Sequence, residues 1–61
     1  DAAVSAHWAR LRVALHQAGR RSGVNDLWLA ATALANSLPI VTQDDDFDVL
    51  AELGLLEVIK V

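Results

Sequence analysis

Apolar residues recur along the first third of the chain at Val4, Trp8, Leu11, Leu15 and Ala18, in steps of four, three, four and three. That spacing forms one stripe and predicts an amphipathic helix over residues 2–19. Arg10, Arg12, His16 and Gln17 fall on its other faces. Gly19 is a natural stop, and Arg20 and Arg21 suit the negative end of the helix dipole. Ser22-Gly23 signals a turn. A second helix is expected from Leu27 to about Ala35, capped by Asn25 or Asp26. It is apolar nearly all round, with Thr32 its one polar residue, as in a helix buried within a larger assembly. Asn36-Ser37 end it, and Pro39 forbids its continuation.

The period then changes. Pro39 to Thr42 is short, apolar and β-branched, which predicts a buried parallel strand. Thr42-Gln43-Asp44-Asp45 matches a capping box, and a short helix follows through Phe47, Val49, Leu50 and Leu53, closed by Gly54. Leu55 to Val61 reads as a second strand. The order over Pro39–Val61 is βαβ, which implies parallel strands and a right-handed crossover. Phe47, Trp8 and Trp28 are expected in the core. His7 and His16 stand nine residues apart, about 180° around a helix, so both read as surface residues without a shared metal. Asp48, Glu52 and Glu57 read as solvated.

Size and composition add a constraint. A chain of 61 residues buries only about 60% of its unfolded surface. Without cysteine, neither a disulfide nor a thiolate metal site supports it. Yet 54% of its residues are hydrophobic and its mean hydropathy is +0.33. Two strands and so apolar a helix predict a segment ordered only against another polypeptide. The longest strictly apolar run, Leu27 to Ala31, is far short of the ~20 residues a membrane span needs.

Charge is divided by position. Residues 1–22 carry four arginines against Asp1, and residues 23–61 carry Lys60 against seven acids. Such a division suits a site that meets a polyanion with one face and a cation with the other. It equally suits a solvated helix face followed by acidic helix starts.

Asp26, Asp44 and Asp46 are the residues with candidate chemistry. If the second helix and the first strand form as expected, Asp26 and Asp44 fall at one end of the sheet, outside the carboxyl end of the strand. Clustered carboxylates repel unless protons or a cation compensate. A hard divalent cation does so with oxygen ligands, and it brings phosphate chemistry with it. Aspartate at a helix start also serves simply as a cap, but one cap suffices for one helix. The run Asp44-Asp45-Asp46 has no neighbouring Lys or Arg in the sequence. Thr42 serves either as a hydrogen-bond partner of a carboxylate or phosphate, or as the capping residue. Arg20 and Arg21 serve either as phosphate contacts or as helix-end charges.

The segments Asn25-Asp26-Leu27-Trp28-Leu29-Ala30-Ala31-Thr32-Ala33 and Leu38-Pro39-Ile40-Val41-Thr42-Gln43-Asp44-Asp45-Asp46-Phe47 together resemble the C-terminal half of a PIN domain. The likeness is greatest to the toxins of VapBC toxin–antitoxin pairs and covers about residues 19–50. It implies an α/β, parallel-sheet PIN-like fold, of which residues 1–61 are the C-terminal α-α-β-α-β portion. It also implies a Mg²⁺- or Mn²⁺-dependent endoribonuclease acting in the cytoplasm, with an RNA substrate, a cognate antitoxin and a homodimeric state. By motif position Asp26 and Asp44 are the third and fourth acids of that family's site. Asp46 is an accessory acid, and Thr42 is the threonine beside the fourth. The first two acids are expected in the N-terminal half of the domain, upstream of Asp1, so this portion alone is expected to be inactive. Ser37 replaces a frequent glycine. Two rivals stand beside this expectation: a structure-specific DNA nuclease with a PIN-like core, and a non-catalytic interaction fragment.

Overall fold

A computed structural model describes all of residues 1–61. Helix α1 (Ala2–Gln17) starts at Asp1, whose Oδ1 accepts the Val4 N–H at 2.9 Å. This N-cap satisfies one of the donors that every helix start leaves free. Helix α2 (Val24–Ala35) follows, then strand β1 (Ile40–Thr42), helix α3 (Asp48–Glu52) and strand β2 (Val58–Lys60). The two strands are parallel, with Ile40 opposite Val58, Val41 opposite Ile59 and Thr42 opposite Lys60. The expected element order therefore holds, with shorter strands than the apolar runs indicated.

All three helices stop in the same way. After α1, Gly19 N–H donates to His16 C=O and Arg20 N–H to Leu15 C=O. After α2, Ser37 bonds Leu34 and Leu38 bonds Ala33; after α3, Gly54 bonds Ala51 and Leu55 bonds Leu50. These paired bonds are the Schellman motif, which ties up terminal carbonyls at the cost of one left-handed residue. Gly19 and Gly54 occupy that position at φ +67° and +71° without strain, whereas Ser37 is forced to +55°.

The core is one cluster. Leu11 and Leu15 of α1 meet Leu27, Ala30 and Ala31 of α2, and Phe47, Val49, Leu50 and Leu56 complete it. Ala30 and Ala31 are fully buried, and their small side chains let the helices approach closely. Trp8 and Trp28 stack across the same helix pair, with ring centroids 5.0 Å apart and 15° between planes. An offset stack of this kind adds to the helix contact beyond its buried area.

Several positions depart from expectation. Helix α2 is not among them: it packs chiefly on α1, and Val24, Trp28 and Leu29 are 64%, 40% and 59% exposed, in keeping with a helix that two strands are too few to cover on all sides. Trp8 is half-buried beside the core, and Trp28 lies at the surface end of the stack. His7 is half-buried, while His16 is exposed as expected. Val41 and Ile59 form an exposed apolar pair on the outer face of the sheet. No helix is long and apolar enough to cross a membrane.

Relief of the left-handed strain at Ser37 is measurable. Ser37→Gly removes the Cβ clash and should raise stability by about 0.5–1 kcal/mol, net of the extra entropy glycine gains when unfolded. Denaturant melts of the two proteins measure this directly. An unchanged or lowered midpoint would mean that Ser37 is not strained.

Candidate functional site

The carboxyl end of β1 turns at once. Thr42 Oγ1 accepts the Asp44 N–H at 3.0 Å, closing a side-chain turn two residues long. The Thr42 carbonyl also accepts the Val61 N–H at 3.2 Å. Thr42 thus organises the loop and not a helix start: α3 begins only at Asp48, after Phe47, with no side-chain cap. The expected capping box is absent because no helix starts at Thr42, and the Asp45 side chain pairs elsewhere.

Its partner is Lys60. The parallel register sets Lys60 beside Thr42, and its ammonium donates to Asp45 and contacts Asp48 at 3.0 Å. The Lys60 hydrogen bond and charge hold the Asp45 carboxyl below the usual aspartate range. Hydrogen bonds to Asp45 and Asp48 hold Lys60 above the ordinary lysine value. With its pKa depressed, Asp45 contributes above the unfolded aspartate value and loses that contribution as pH falls through its folded value. Lys60 contributes below the unfolded lysine value and loses its contribution as pH rises through its folded value. Both groups are exposed, so the pair orders the loop more than it stabilises the fold.

This arrangement divides the acidic run. Asp45 and Asp48 are compensated by Lys60, whereas the Asp44 and Asp46 carboxylates are exposed and have no partner within the chain. Asp26 lies in the first turn of α2 and is half-buried. It is not the cap: Gly23 holds that position, two residues ahead of Asn25. At the third helical position the Asp26 charge still favours the positive end of the dipole. Its Oδ2 lies 3.2 Å from where a Cβ on Gly23 would stand, so the carboxylate folds back over the bare glycine. The chain passes from α2 to β1 through residues 36–39 alone.

The chain does not by itself gather three acidic or histidine side chains into a group able to hold a metal ion. The unpaired donors it offers are all carboxylate oxygens, a set that fits a hard divalent cation and no soft metal. Of the two arginines singled out in the sequence, Arg20 pairs with Glu52 at 3.0 Å, and Arg21 is exposed. Sequence reasoning missed Lys60, Glu52 and Gly23. Lys60 was legible only through the register, since it stands 15 residues from Asp45.

Fold and site define an α/β protein with parallel strands and unpaired aspartates just past a strand's carboxyl end. The chain belongs to the PIN domain family, whose model matches residues 1–53. It is 52% identical over 54 residues to "Ribonuclease VapC5" of Mycobacterium tuberculosis, covering 88% of this chain and 40% of that protein. It is 40% identical over 58 residues to "Ribonuclease VapC4" of the same organism, covering 95% and 45%. Among solved structures it is similar to VapBC-5 from Mycobacterium tuberculosis, a member of the VapBC family of toxin–antitoxin systems. There the TM-score is 0.91 at 48% identity, over 100% of this chain and 48% of that one. The chain thus spans a little under half the length of the relatives it matches.

The geometry of the carboxylates is open to two tests. Gly23 has φ −64° and ψ 149°, which alanine also adopts. Alanine is nevertheless a poorer N-cap than glycine, so Gly23→Ala should lower stability by about 1 kcal/mol or less, while displacing the Asp26 carboxylate. A shifted Asp26 carboxyl carbon NMR signal with an intact melt is the expected result; an unmoved signal would show that the glycine is incidental. Lys60→Met should let Asp45 titrate at a higher pH. NMR titration of the Asp45 carboxyl carbon checks this, and an unmoved midpoint would show that Lys60 does not hold that carboxylate.

Proposed function

We propose that this chain is the C-terminal part of a PIN-domain endoribonuclease, the toxin of a type II toxin–antitoxin pair, which hydrolyses RNA phosphodiester bonds with a carboxylate-bound Mg²⁺ or Mn²⁺. The observation that carries the reading is the pair of unpartnered carboxylates, Asp44 and Asp46, on a loop pinned by Thr42 and Lys60. Close likeness to two proteins named ribonucleases supports it. Asp26 and Asp44 would hold the cation, and Asp46 would hold it or position water beside it. Thr42 fixes the backbone of Asp44 and so aims that carboxylate. When bound, the cation lowers the pKa of a water molecule and offsets charge on the phosphate. Acids from the N-terminal half of the same domain would complete the ligand set, which makes residues 1–61 inactive alone. Arg20 and Arg21 would contact RNA phosphates. A cognate antitoxin, a second copy of the toxin and a cytoplasmic setting complete the proposal.

Replacing Asp44 tests the reading. Asp44→Asn keeps the shape and removes a charge, so the complete protein should stay folded and lose RNA cleavage by about two orders of magnitude or more. Cleavage assays on purified, metal-replete protein, with single-stranded RNA and flap DNA in parallel, give the answer. Undiminished cleavage by the variant would remove Asp44 from the site, and cleavage confined to DNA would remove RNA as substrate.

A further inference from the structure

The chain forms three ion pairs, and they are placed selectively. Arg20 takes Glu52, while Lys60 takes both Asp45 and Asp48; none of the three touches Asp26, Asp44 or Asp46. Lys60 is the one Lys or Arg among residues 23–61, where it faces seven acids. The only cation of the acidic segment therefore stands at the run Asp44-Asp45-Asp46, and it engages the middle member of that run.

The pairing saturates the ammonium. A lysine head carries three N–H donors. One Asp45 oxygen and both Asp48 oxygens, the latter at 3.0 and 3.3 Å, surround Lys60 Nζ. No donor remains for a neighbouring carboxylate. The head is also placed by backbone bonds that converge on one residue. The Thr42 carbonyl accepts the N–H of Val61, which directly follows Lys60, and Thr42 Oγ1 accepts the N–H of Asp44. Lys60 and Asp44 are thus set relative to each other through Thr42, without touching. Stripped of the ammonium, the four aspartates at 44, 45, 46 and 48 would repel. A hard divalent ion would then find four competing carboxylates on one loop instead of two.

We propose that Lys60 is a positioning residue of the cation site: by occupying Asp45 and Asp48 it leaves Asp44 and Asp46 as the only carboxylates of the loop open to a divalent ion. The inference rests on the metal-dependent ribonuclease reading. It adds to that site a member from β2, beyond residues 1–53 that the family model matches. Lys60 acts on the ion only through the two acids it withdraws, so it selects ligands and takes no part in the chemistry.

Carbon NMR of the aspartate carboxyl groups in the complete protein reads this selection without any cleavage. Titrated with Mg²⁺ alone, the wild type should show shifts at Asp44 and Asp46, with Asp45 and Asp48 staying near their starting positions. Lys60→Met keeps the aliphatic stem of a side chain that is 40% exposed, and in this variant Mg²⁺ should shift all four. Lys60→Arg keeps the charge and should restore the wild-type pattern. Shifts at Asp45 and Asp48 as large as those at Asp44 in the wild type would overturn the inference, whether or not a variant folds. A folded Lys60→Met protein in which Asp45 and Asp48 stay silent would overturn it too. Both of these results leave the metal-dependent reading standing. A wild type in which Mg²⁺ shifts none of the four would overturn that reading and the inference together.

Discussion

The register of two short parallel strands controls the functional end of this molecule. With Ile40 opposite Val58, both side chains turn toward the core, and Val41 and Ile59 turn away from it. The same register brings Lys60 level with Thr42. A slip of one residue would exchange the faces of the strand and carry Lys60 away from Asp45 and Asp48. The acidic loop would then have four uncompensated aspartates in five positions instead of two. Pairing of backbone groups thus decides which carboxylates are spent within the fold and which stay available.

A second constraint acts at the helix ends. Each helix closes with the same paired carbonyl bonds and one left-handed residue, so each connection is short and directed. The stop at Gly19 leads through Ser22 to the start of α2 and fixes Asp26 in its first turn. The stop at Ser37 leads straight into β1. The buried face of Leu27, Ala30 and Ala31 against Leu11 and Leu15 holds these two stops in relation to each other. Leaving Val24, Trp28, Leu29 and Val41 exposed costs on the order of several kcal/mol at ~25 cal/mol per Å² of apolar surface. An adjoining polypeptide that covered them would recover it.

Much of this was legible in the residues. Periodicity indicated the element order, and Gly19, Gly54 and Pro39 marked the boundaries by simple steric rules. Asp26, Asp44 and Asp46 stood out as acids with no obvious partner, and the structure leaves the last two unpaired. Three things were hidden. The start of α2 lay at Gly23 because a glycine can cap without a side-chain signal. The pairing of Asp45 with Lys60 depended on strand register, which a local window does not contain. The surface position of Trp28 followed from how little of α2 the rest of the chain can cover.

On the proposed reading Asp26 and Asp44 would hold a divalent cation, while Asp45 belongs to Lys60. Calorimetric titration of Mn²⁺ into the complete protein and three single variants tests it most directly. Asp26→Asn and Asp44→Asn should each weaken Mn²⁺ binding by about tenfold or more, and Asp45→Asn should leave it within about twofold of the original. Equal weakening by all three, or wild-type affinity in Asp44→Asn, would contradict the account.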